Sequence, residues 1–356
     1  MLGLQVWIRD VPFPENESVK ILYAATRYDY GIPQRGFSFE HYNFYETLIR
    51  MGYEVEYFDY VDLHKKHGSI EMSKMLYDRI KDGKPDLLFT FLFTDQFDPA
   101  MLKRIKQETS TVTFNWFADD HWRFDSFTRY WADCFSYVST TDIRSLEKYK
   151  AIGYHNVLLT QWGVNHFLYS KIERPMQHDV SFVGQAHGER QKIVRTVRKN
   201  GIDMFVKGTH WNLRPWHLYA RKIHLLTDSM LDEIINRTRI SQEEMIGIFQ
   251  TSRINLNFTA SSQTHFRKQI KGRNFEIPGC GAFQLSEYAE GIDEYLECDK
   301  EIVCFSSTPE MIEKIFYYLE HEDERKAIAD AGYRRAIHDH TYERRFHDLF
   351  HRMGLE

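Results

Sequence analysis

The chain has 356 residues, which is enough for two domains of ordinary size, each with its own hydrophobic core. Hydrophobic residues make up 42% of the chain and charged residues 27%, which excludes a disordered protein. The net charge of −5 argues against a general nucleic-acid-binding protein, because neutralising phosphates requires a basic surface. A local basic pocket for a small anionic ligand stays compatible with this composition. Aromatic residues reach 15%, a content that suits sugar binding but more strongly indicates strand and core positions.

The cysteines show neither a CxxC spacing nor a Cys/His metal pattern, and each lies in or beside an apolar run. We therefore expect buried, reduced thiols in a cytoplasmic protein. These cysteines are Cys134, Cys280, Cys298 and Cys304. Charged residues interrupt the first 17 positions, so no signal peptide is expected there. No uninterrupted apolar run reaches about 18 residues, so no transmembrane segment is expected.

The first half of the chain alternates apolar strand patterns with helical patterns. Strands are predicted at residues 21–26, 54–59, 86–91, 111–117, 135–139 and 157–161. Helices are predicted at residues 39–51, 69–81, 99–106 and 143–152. Such alternation predicts a parallel, doubly wound α/β sheet.

A segment at 163–177, which contains Pro175, breaks this rhythm and is interpreted as the linker to a second α/β domain. Strands are then predicted at 179–184, 203–206, 254–258, 283–287 and 301–305. Helices are predicted at 189–199, after Ser241, at 309–319 and twice within 323–353. Residues 210–239 read as an insertion with helical parts. The predicted domains are 1–172 and 173–340, with a final helix at 341–356.

Loops at the carboxyl ends of parallel strands are where open α/β sheets bind ligands. In the second half, such a loop runs from Gly184 to Arg190 and opens a helix, whose N-terminus favours a phosphate. Arg190 would add a charge-assisted contact, although a surface arginine is an equally weighted interpretation. Lys207 and Gly208 follow the next strand, and Asn257 lies near the end of a third.

A basic segment at 266–276 is the stronger candidate for a diphosphate site. It carries Arg267, Lys268, Lys271 and Arg273 close to a glycine, in a chain that is otherwise acidic. A solvated surface is the usual meaning of such a run of charges. The segment 266–276 comes shortly after a predicted buried strand, and this position favours a binding function instead.

A specific resemblance begins within this segment. The stretch 273–283, RNFEIPGCGAF, resembles the donor-site motif of retaining GT-B glycosyltransferases, and most closely that of the CgeB-like family. Residues 179–184, 254–257, 301–305 and 340–345 are similar to the same family. The resemblance implies that Glu276 accepts hydrogen bonds from a nucleotide ribose, next to Asn274. A second glutamate is common eight positions earlier, where this chain has Lys268, so Lys271 and Arg273 are expected to contact phosphate instead.

The first half offers one further polar cluster, Asp119-Asp120-His121, after the strand at 111–117. A pair of aspartates suggests a metal site of another glycosyltransferase fold, but that fold does not have two alternating halves. The resemblance implies a role in acceptor or donor-sugar recognition, with His121 or Asp120 as the catalytic candidate and Asp119 beside them. A plain loop carries equal weight.

The resemblance implies two Rossmann-like domains facing a cleft, with the last helix crossing back to the first domain. The N-terminal domain would bind a glycan, protein or small-molecule acceptor, and the C-terminal domain a UDP- or GDP-type sugar donor. Transfer would retain the anomeric configuration and need neither cofactor nor metal. Two alternatives remain open: a GT-B sugar-nucleotide epimerase, and a catalytically degenerate binding or assembly protein, which Lys268 favours.

Overall fold

The computed structural model describes residues 19–92, 94–260 and 268–356, which form two parallel β-sheets connected by helices. The N-terminal sheet has six strands in the order β2-β1-β3-β4-β5-β6. These are β1 (Lys20–Ala25), β2 (Glu54–Asp59), β3 (Leu87–Thr90), β4 (Val112–Trp116), β5 (Tyr137–Thr140) and β6 (Val157–Leu159). All four residues of β3 are buried, as expected for a central strand covered on both faces.

The C-terminal sheet has five strands in the order β11-β10-β9-β7-β8. They are β7 (His178–Val183), β8 (Met204–Lys207), β9 (Ser252–Asn257), β10 (Gln284–Glu287) and β11 (Val303–Phe305). The strands of both sheets pair in parallel register, for example Ile21 with Leu87 and Val180 with Ile254.

Helices connect the strands and cover the faces of both sheets. In the N-terminal domain they are α1 (Glu46–Arg50), α2 (Tyr60–Gly83), α3 (Pro99–Glu108), α4 (Asp120–Arg123), α5 (Arg129–Trp131) and α6 (Ser145–Ala151). In the C-terminal domain they are α7 (Arg190–Lys199), α8 (Pro215–Lys222), α9 (Asp228–Asn236), α10 (Gln242–Gln250), α11 (Arg273–Gly279), α12 (Thr308–Glu320) and α13 (Glu322–Asp339). The last helix, α14, spans Tyr342–Met353. Short π-helical stretches precede α1 and follow α4, at His41–Tyr45 and Phe124–Thr128.

Each strand order contains a point at which the chain reverses direction across the sheet. In the N-terminal sheet this switch point lies between β1 and β3, and in the C-terminal sheet between β7 and β9. Loops that leave neighbouring strands in opposite directions open a crevice there, which is the usual ligand site of such sheets.

The final helix α14 packs against the N-terminal sheet and not against its own domain. Its apolar side chains, including Phe346 and Phe350, share a fully buried cluster with residues of β1, β3 and β4 such as Tyr23 and Trp116. The predicted architecture, with two doubly wound sheets and a returning helix, is therefore present.

The linker is tied closely to the start of α14. Val164 donates its N–H to the carbonyl of His340 and accepts one from Tyr342, at 2.9 and 3.0 Å. A Cβ atom on Gly163 would lie 2.8 Å from the same His340 carbonyl, so only glycine allows this approach. Arg345 donates from Nε to the carbonyl of Gln161 at 3.2 Å, joining the linker to the crossover.

Two sequence-based expectations are corrected by the structure. Cys298 and Cys304 form a disulfide and are not reduced thiols, because a turn with Asp299 in the left-handed region brings their Cα atoms to 5.6 Å. Cys134 and Cys280 are buried thiols, as predicted. The helix expected at 69–81 begins nine residues earlier, at Tyr60, and has non-helical backbone angles at Gly68.

Candidate active site between the domains

Two cavities lie between the domains, and the segment 268–272 borders both. The first, which we call the central cavity, has a volume of about 380 Å³. Its N-terminal wall consists of loops that leave β1, β3 and β4, and its C-terminal wall contains Lys271 and Gly272. It therefore occupies the switch point of the N-terminal sheet and faces the loop after β9.

The second cavity, which we call the linker-side cavity, has a volume of about 450 Å³ and lies away from both switch points. It is lined by loops after β5 and β10 and by the start of the linker, including Asp142, Tyr288 and Gln161. His121 and Lys268 also face it. We assign the chemistry to the central cavity because it lies at a switch point.

Two cations converge at the switch point of the C-terminal sheet. Arg190, the first residue of α7, is 8% exposed, and its guanidinium donates to the carbonyls of Gln185 at 2.9 Å and Phe258 at 3.2 Å. Lys271 Nζ donates to the Ala260 carbonyl at 2.7 Å, and Arg190 Nη2 approaches the same oxygen at 3.5 Å. The loops after β7 and β9 thus bring two positive charges to one carbonyl oxygen.

Burial weakens the protonation of both cations. Desolvation, together with the positive charge of the neighbouring Arg190, lowers the pKa of Lys271 to about 7. Desolvation also lowers the pKa of Arg190, to about 10. An anion between the domains would favour the charged form of both side chains, as expected at a phosphate site.

The start of α11 is held in place by two asparagines. Asn274 accepts the backbone N–H of Lys271 at 3.0 Å, and its amide donates to Ser286 Oγ at 3.2 Å. Asn257 donates to the same hydroxyl oxygen at 3.1 Å. Both asparagines are buried, and neither lines either of the two cavities. They therefore position Lys271 from the side that faces away from the central cavity.

Glu276 is fully buried and lies behind the wall of the central cavity. One carboxylate oxygen pairs with Arg273, whose side chain is 30% exposed, and the other has no hydrogen-bond partner among the described residues. Gly272 separates that carboxylate from Phe39, since a Cβ atom there would lie 3.6 Å from Glu276 Oε1 and 3.3 Å from the ring. A buried carboxylate oxygen without a donor is costly, and it marks a position at which a hydroxyl group would be stabilised.

Three further predicted residues, Gly184, Lys207 and Gly208, lie outside both cavities. Gly208 has a φ of 126°, and a Cβ atom there would lie 2.3 Å from the Gly184 carbonyl. The two glycines therefore allow the loops after β7 and β8 to touch. Lys207 pairs with Glu244 at 3.8 Å instead of pointing into the cleft.

Asp119, Asp120 and His121, which follow β4, point in different directions. Asp119 lines the central cavity, and His121 lines the linker-side cavity. Asp120 is fully buried, and its two carboxylate oxygens accept hydrogen bonds from Thr128 at 2.7 Å and Tyr149 at 2.8 Å. The structure therefore places Asp120 in the N-terminal domain interior and does not bring it to the cleft.

Lys268 occupies the position of the usual second glutamate and pairs with Glu287 at 3.1 Å. The other carboxylate oxygen of Glu287 accepts the backbone N–H groups of Thr259 at 3.0 Å and Ala260 at 3.3 Å. Lys268 and Glu287 thus support the loop that carries the carbonyl shared by the two cations. Arg267, the remaining basic residue of the predicted segment, lies outside the described residues.

Sequence reasoning missed Glu40, which lines the central cavity on the side of the N-terminal domain. Desolvation raises the pKa of Glu40 to about 7, so near neutral pH it both binds and releases a proton. A signal was present in the sequence, because Glu40 follows the loop that leaves β1, and loops at the carboxyl ends of parallel strands are where such sheets bind ligands. Five aromatic residues also line this wall: Phe39, Phe91, Phe117, Phe127 and Trp162.

The described parts of the chain contain no group of three or more His, Cys, Asp or Glu side chains placed to hold a metal ion. Within those same ranges, no helix is both long and apolar enough to cross a membrane.

Comparison with known proteins is consistent with this geometry. Residues 188–351 match the family described as glycosyl transferase-like. The spore protein CgeB of Bacillus subtilis is 22% identical over 196 residues, which cover 52% of this chain. The match spans 58% of the length of CgeB.

Solved structures show the same fold over nearly the whole chain. A glycosyltransferase from Rickettsia africae has a TM-score of 0.59 at 10% identity, covering 96% of this chain and 99% of its own. HepE from Anabaena in complex with UDP and glucose has a TM-score of 0.58 at 12% identity, covering 93% and 99%. Sucrose-phosphate synthase from Thermosynechococcus elongatus has a TM-score of 0.59 at 10% identity, covering 94% and 99%.

The chain thus has the GT-B fold, and its residues 188–351 are similar to glycosyl transferase-like proteins. The predicted resemblance to CgeB-like proteins is confirmed by the match to CgeB itself and by the family matched in the C-terminal half.

Proposed function

We propose that this protein transfers a hexose from a nucleoside-diphosphate sugar to an acceptor held in the central cavity. The observation that carries the proposal is the convergence of Arg190 and Lys271 on one carbonyl oxygen at the switch point of the C-terminal sheet. The diphosphate of the donor would lie against these two cations, which would stabilise the charge that develops on the leaving group. HepE, a structural neighbour, binds UDP, and we take a uridine nucleotide as the first donor to test.

The nucleotide ribose would lie toward Glu276, whose unpartnered oxygen would accept a hydroxyl hydrogen bond. Because Glu276 is fully buried here, the donor-bound state requires the segment 272–276 to move relative to Phe39, whose ring lies over Gly272. GT-B domains that close around a donor would supply such a movement.

The acceptor would lie in the central cavity against the N-terminal domain. Its aromatic wall suits a sugar ring, because the C–H-rich faces of pyranoses pack on aromatic rings. Glu40 and Asp119 lie on the same wall and are available to hydroxyl groups of the acceptor. Asp120 does not take this role, because Thr128 and Tyr149 hold its carboxylate in the domain interior.

The expected stereochemistry is retention, as the resemblance implies, and the expected reaction proceeds without metal. The two cations would offset the diphosphate charge that a metal ion offsets in other enzymes. A cytoplasmic location also stays a prediction. Retention would be read from the anomeric coupling constant of the fresh product by NMR, and metal independence from unchanged turnover in EDTA.

Titration calorimetry with UDP and GDP tests the donor site directly. Lys271→Met should weaken binding by about 10- to 100-fold, the usual range for losing a charge-assisted hydrogen bond. Lys326→Met is the matched control, since Lys326 lies on the exposed side of α13 and pairs with Glu322. Equal affinity in Lys271→Met and wild type would reject the donor site.

Release of UDP from a panel of UDP-sugars, with and without candidate acceptors, then separates transfer from the alternatives. Release that depends on an acceptor supports a transferase, whereas sugar conversion without one indicates an epimerase. Nucleotide binding with no turnover in any mixture would favour the degenerate binding protein. The pairing of Lys268 with Glu287, in place of a sugar-binding glutamate, is the observation that keeps this second candidate open.

A further inference from the structure

The insertion between β8 and α10 carries an apolar surface that no described part of the chain covers. Trp216, Tyr219 and Ile223 are spaced three and four residues apart, so they form one stripe along α8 and its C-terminal end. Their exposed fractions are 61%, 64% and 45%. Leu218 and Leu225 flank the stripe at 50% and 72% exposure. We call these five side chains the α8 stripe.

This concentration is unusual within the described chain. Six of its nineteen exposed large hydrophobic residues, the α8 stripe and Met230, lie within fifteen consecutive positions. Single exposed apolar residues need no explanation, but a contiguous group of them on a folded domain marks an interaction surface. The opposite side of α8 is buried through His217 and Ala220, so the helix is anchored and the stripe faces outward.

The charge around the stripe is mainly positive. Between Asp203 and Asp228 the sequence contains four basic residues and no acidic one, although the whole chain has a net charge of −5. Arg221 and Lys222 lie in the last turn of α8, beside Ile223; Arg221 pairs with Asp228 at 2.5 Å, and Lys222 is exposed. The surface therefore combines exposed Trp, Tyr and Leu side chains with positive charge.

We propose that the α8 stripe docks the protein on the surface of an anionic lipid bilayer. Trp and Tyr prefer the boundary between lipid and water, and Leu and Ile side chains insert below it. Lys222 would lie at the level of anionic headgroups, where a basic residue strengthens binding about fivefold. A bilayer is favoured over a protein partner because it adapts to a single short exposed helix and its anionic headgroups complement the excess of positive charge beside the stripe.

The position of the insertion would orient the active site relative to the lipid. The insertion leaves the carboxyl end of β8, on the side of the sheet that faces the cleft. It also reaches the N-terminal domain, because Asp232 pairs with Arg35 at 2.5 Å and Arg239 with Asp29 at 2.6 Å. Docking through the stripe would therefore hold the mouth of the interdomain cleft close to the bilayer surface.

Co-sedimentation with vesicles tests the proposal on the full chain. One set of vesicles contains phosphatidylcholine alone, and a second set contains phosphatidylcholine with phosphatidylglycerol. Wild type should sediment with the anionic vesicles and stay in solution with the neutral ones. The triple variant Trp216→Ala, Tyr219→Ala, Ile223→Ala should stay in solution with both.

A charge variant and a matched control complete the design. Lys222→Gln should weaken binding to anionic vesicles about fivefold. Ile70→Ala removes an apolar side chain that is 74% exposed on α2, in the N-terminal domain, and should bind as wild type does. Unchanged thermal unfolding midpoints would show that every variant is folded, as expected for exposed positions.

Three results would overturn the proposal: no sedimentation of wild type with either vesicle, equal sedimentation with both, or a triple variant that binds like wild type. A concentration-dependent dimer that the triple variant abolishes, without any vesicle binding, would assign the stripe to a second copy of this chain instead. None of these readouts depends on nucleotide binding, so failure of the donor-site proposal would leave this test unaffected.

Discussion

The pH dependence of nucleotide binding follows from the burial of Lys271. Its pKa is lowered to about 7, first by desolvation and then by Arg190. At pH 6 about 90% of the molecules carry the Lys271 charge, and at pH 8.5 only about 3% do. If the diphosphate binds only the charged form, the apparent affinity for UDP falls about 30-fold between these pH values.

The direction in which stability changes with pH distinguishes Lys271 from an ordinary surface lysine. Without ligand, the folded protein binds the Lys271 proton less tightly than the unfolded chain, so stability rises with pH between about 7 and 10. A bound diphosphate stabilises the protonated form of Lys271 and so raises the pKa of its side chain. UDP binding near pH 8 should therefore take up about one proton.

Calorimetry in two buffers with different ionisation enthalpies measures this proton uptake directly. Lys271→Arg is the sharpest variant, because arginine keeps its charge throughout this pH range. It should bind UDP with an affinity that changes little between pH 6 and 8.5, whereas Lys271→Met should bind weakly at both. A wild-type affinity independent of pH, with no proton uptake, would show that Lys271 does not contact the diphosphate.

Four other results are expected from the described contacts. Glu276→Gln should weaken UDP about 10-fold but leave the affinity for 2′,3′-dideoxy-UDP unchanged, and an equal loss for both ligands would contradict a ribose contact. Glu40→Gln should lower kcat with little change in UDP affinity, and it should remove the rise in activity through about pH 7 that the raised pKa of Glu40 produces in wild type. Asp119→Asn should reduce turnover and leave UDP binding nearly intact, because Asp119 lines the N-terminal wall of the central cavity; parallel losses in both measurements would contradict the assignment of acceptor chemistry to the N-terminal domain. Burial lowers the pKa of His340 to about 3, so this residue should reduce the free energy of unfolding by about 2 kcal/mol as the pH falls from 7 to 5; urea titrations of His340→Asn should show a smaller decrease, and an identical decrease would rule out this origin.

The strand framework was predictable because both sheets are buried on two faces. Runs such as 86–91 must be apolar to lie between two helical layers, so the sequence itself records them. The insertion was predicted only as helical in part, because its exposed Trp and Leu side chains blur the usual period of apolar residues on α8 and α9.

The site was predictable at the level of loops but not of side-chain directions. The sequence named Lys271 and Arg190 as candidates because both follow strands of the second sheet, and their contact with a phosphate stays a prediction. Asp119 and Asp120 are neighbours in sequence, yet one faces a cavity and the other the interior. That difference depends on Thr128 and Tyr149, whose positions emerge only from the fold. Glu40 was missed because its importance comes from burial, which a sequence does not display.

The return of α14 to the N-terminal sheet has a consequence for how the protein is made. Phe346, Leu349 and Phe350 fill the face of a sheet whose first strand leaves the ribosome more than 300 residues earlier. Until α14 emerges from the ribosome, no helix covers that face of the sheet. Its aromatic side chains are then exposed to water or to a chaperone. The N-terminal domain therefore completes its core only after the C-terminal domain has been synthesised.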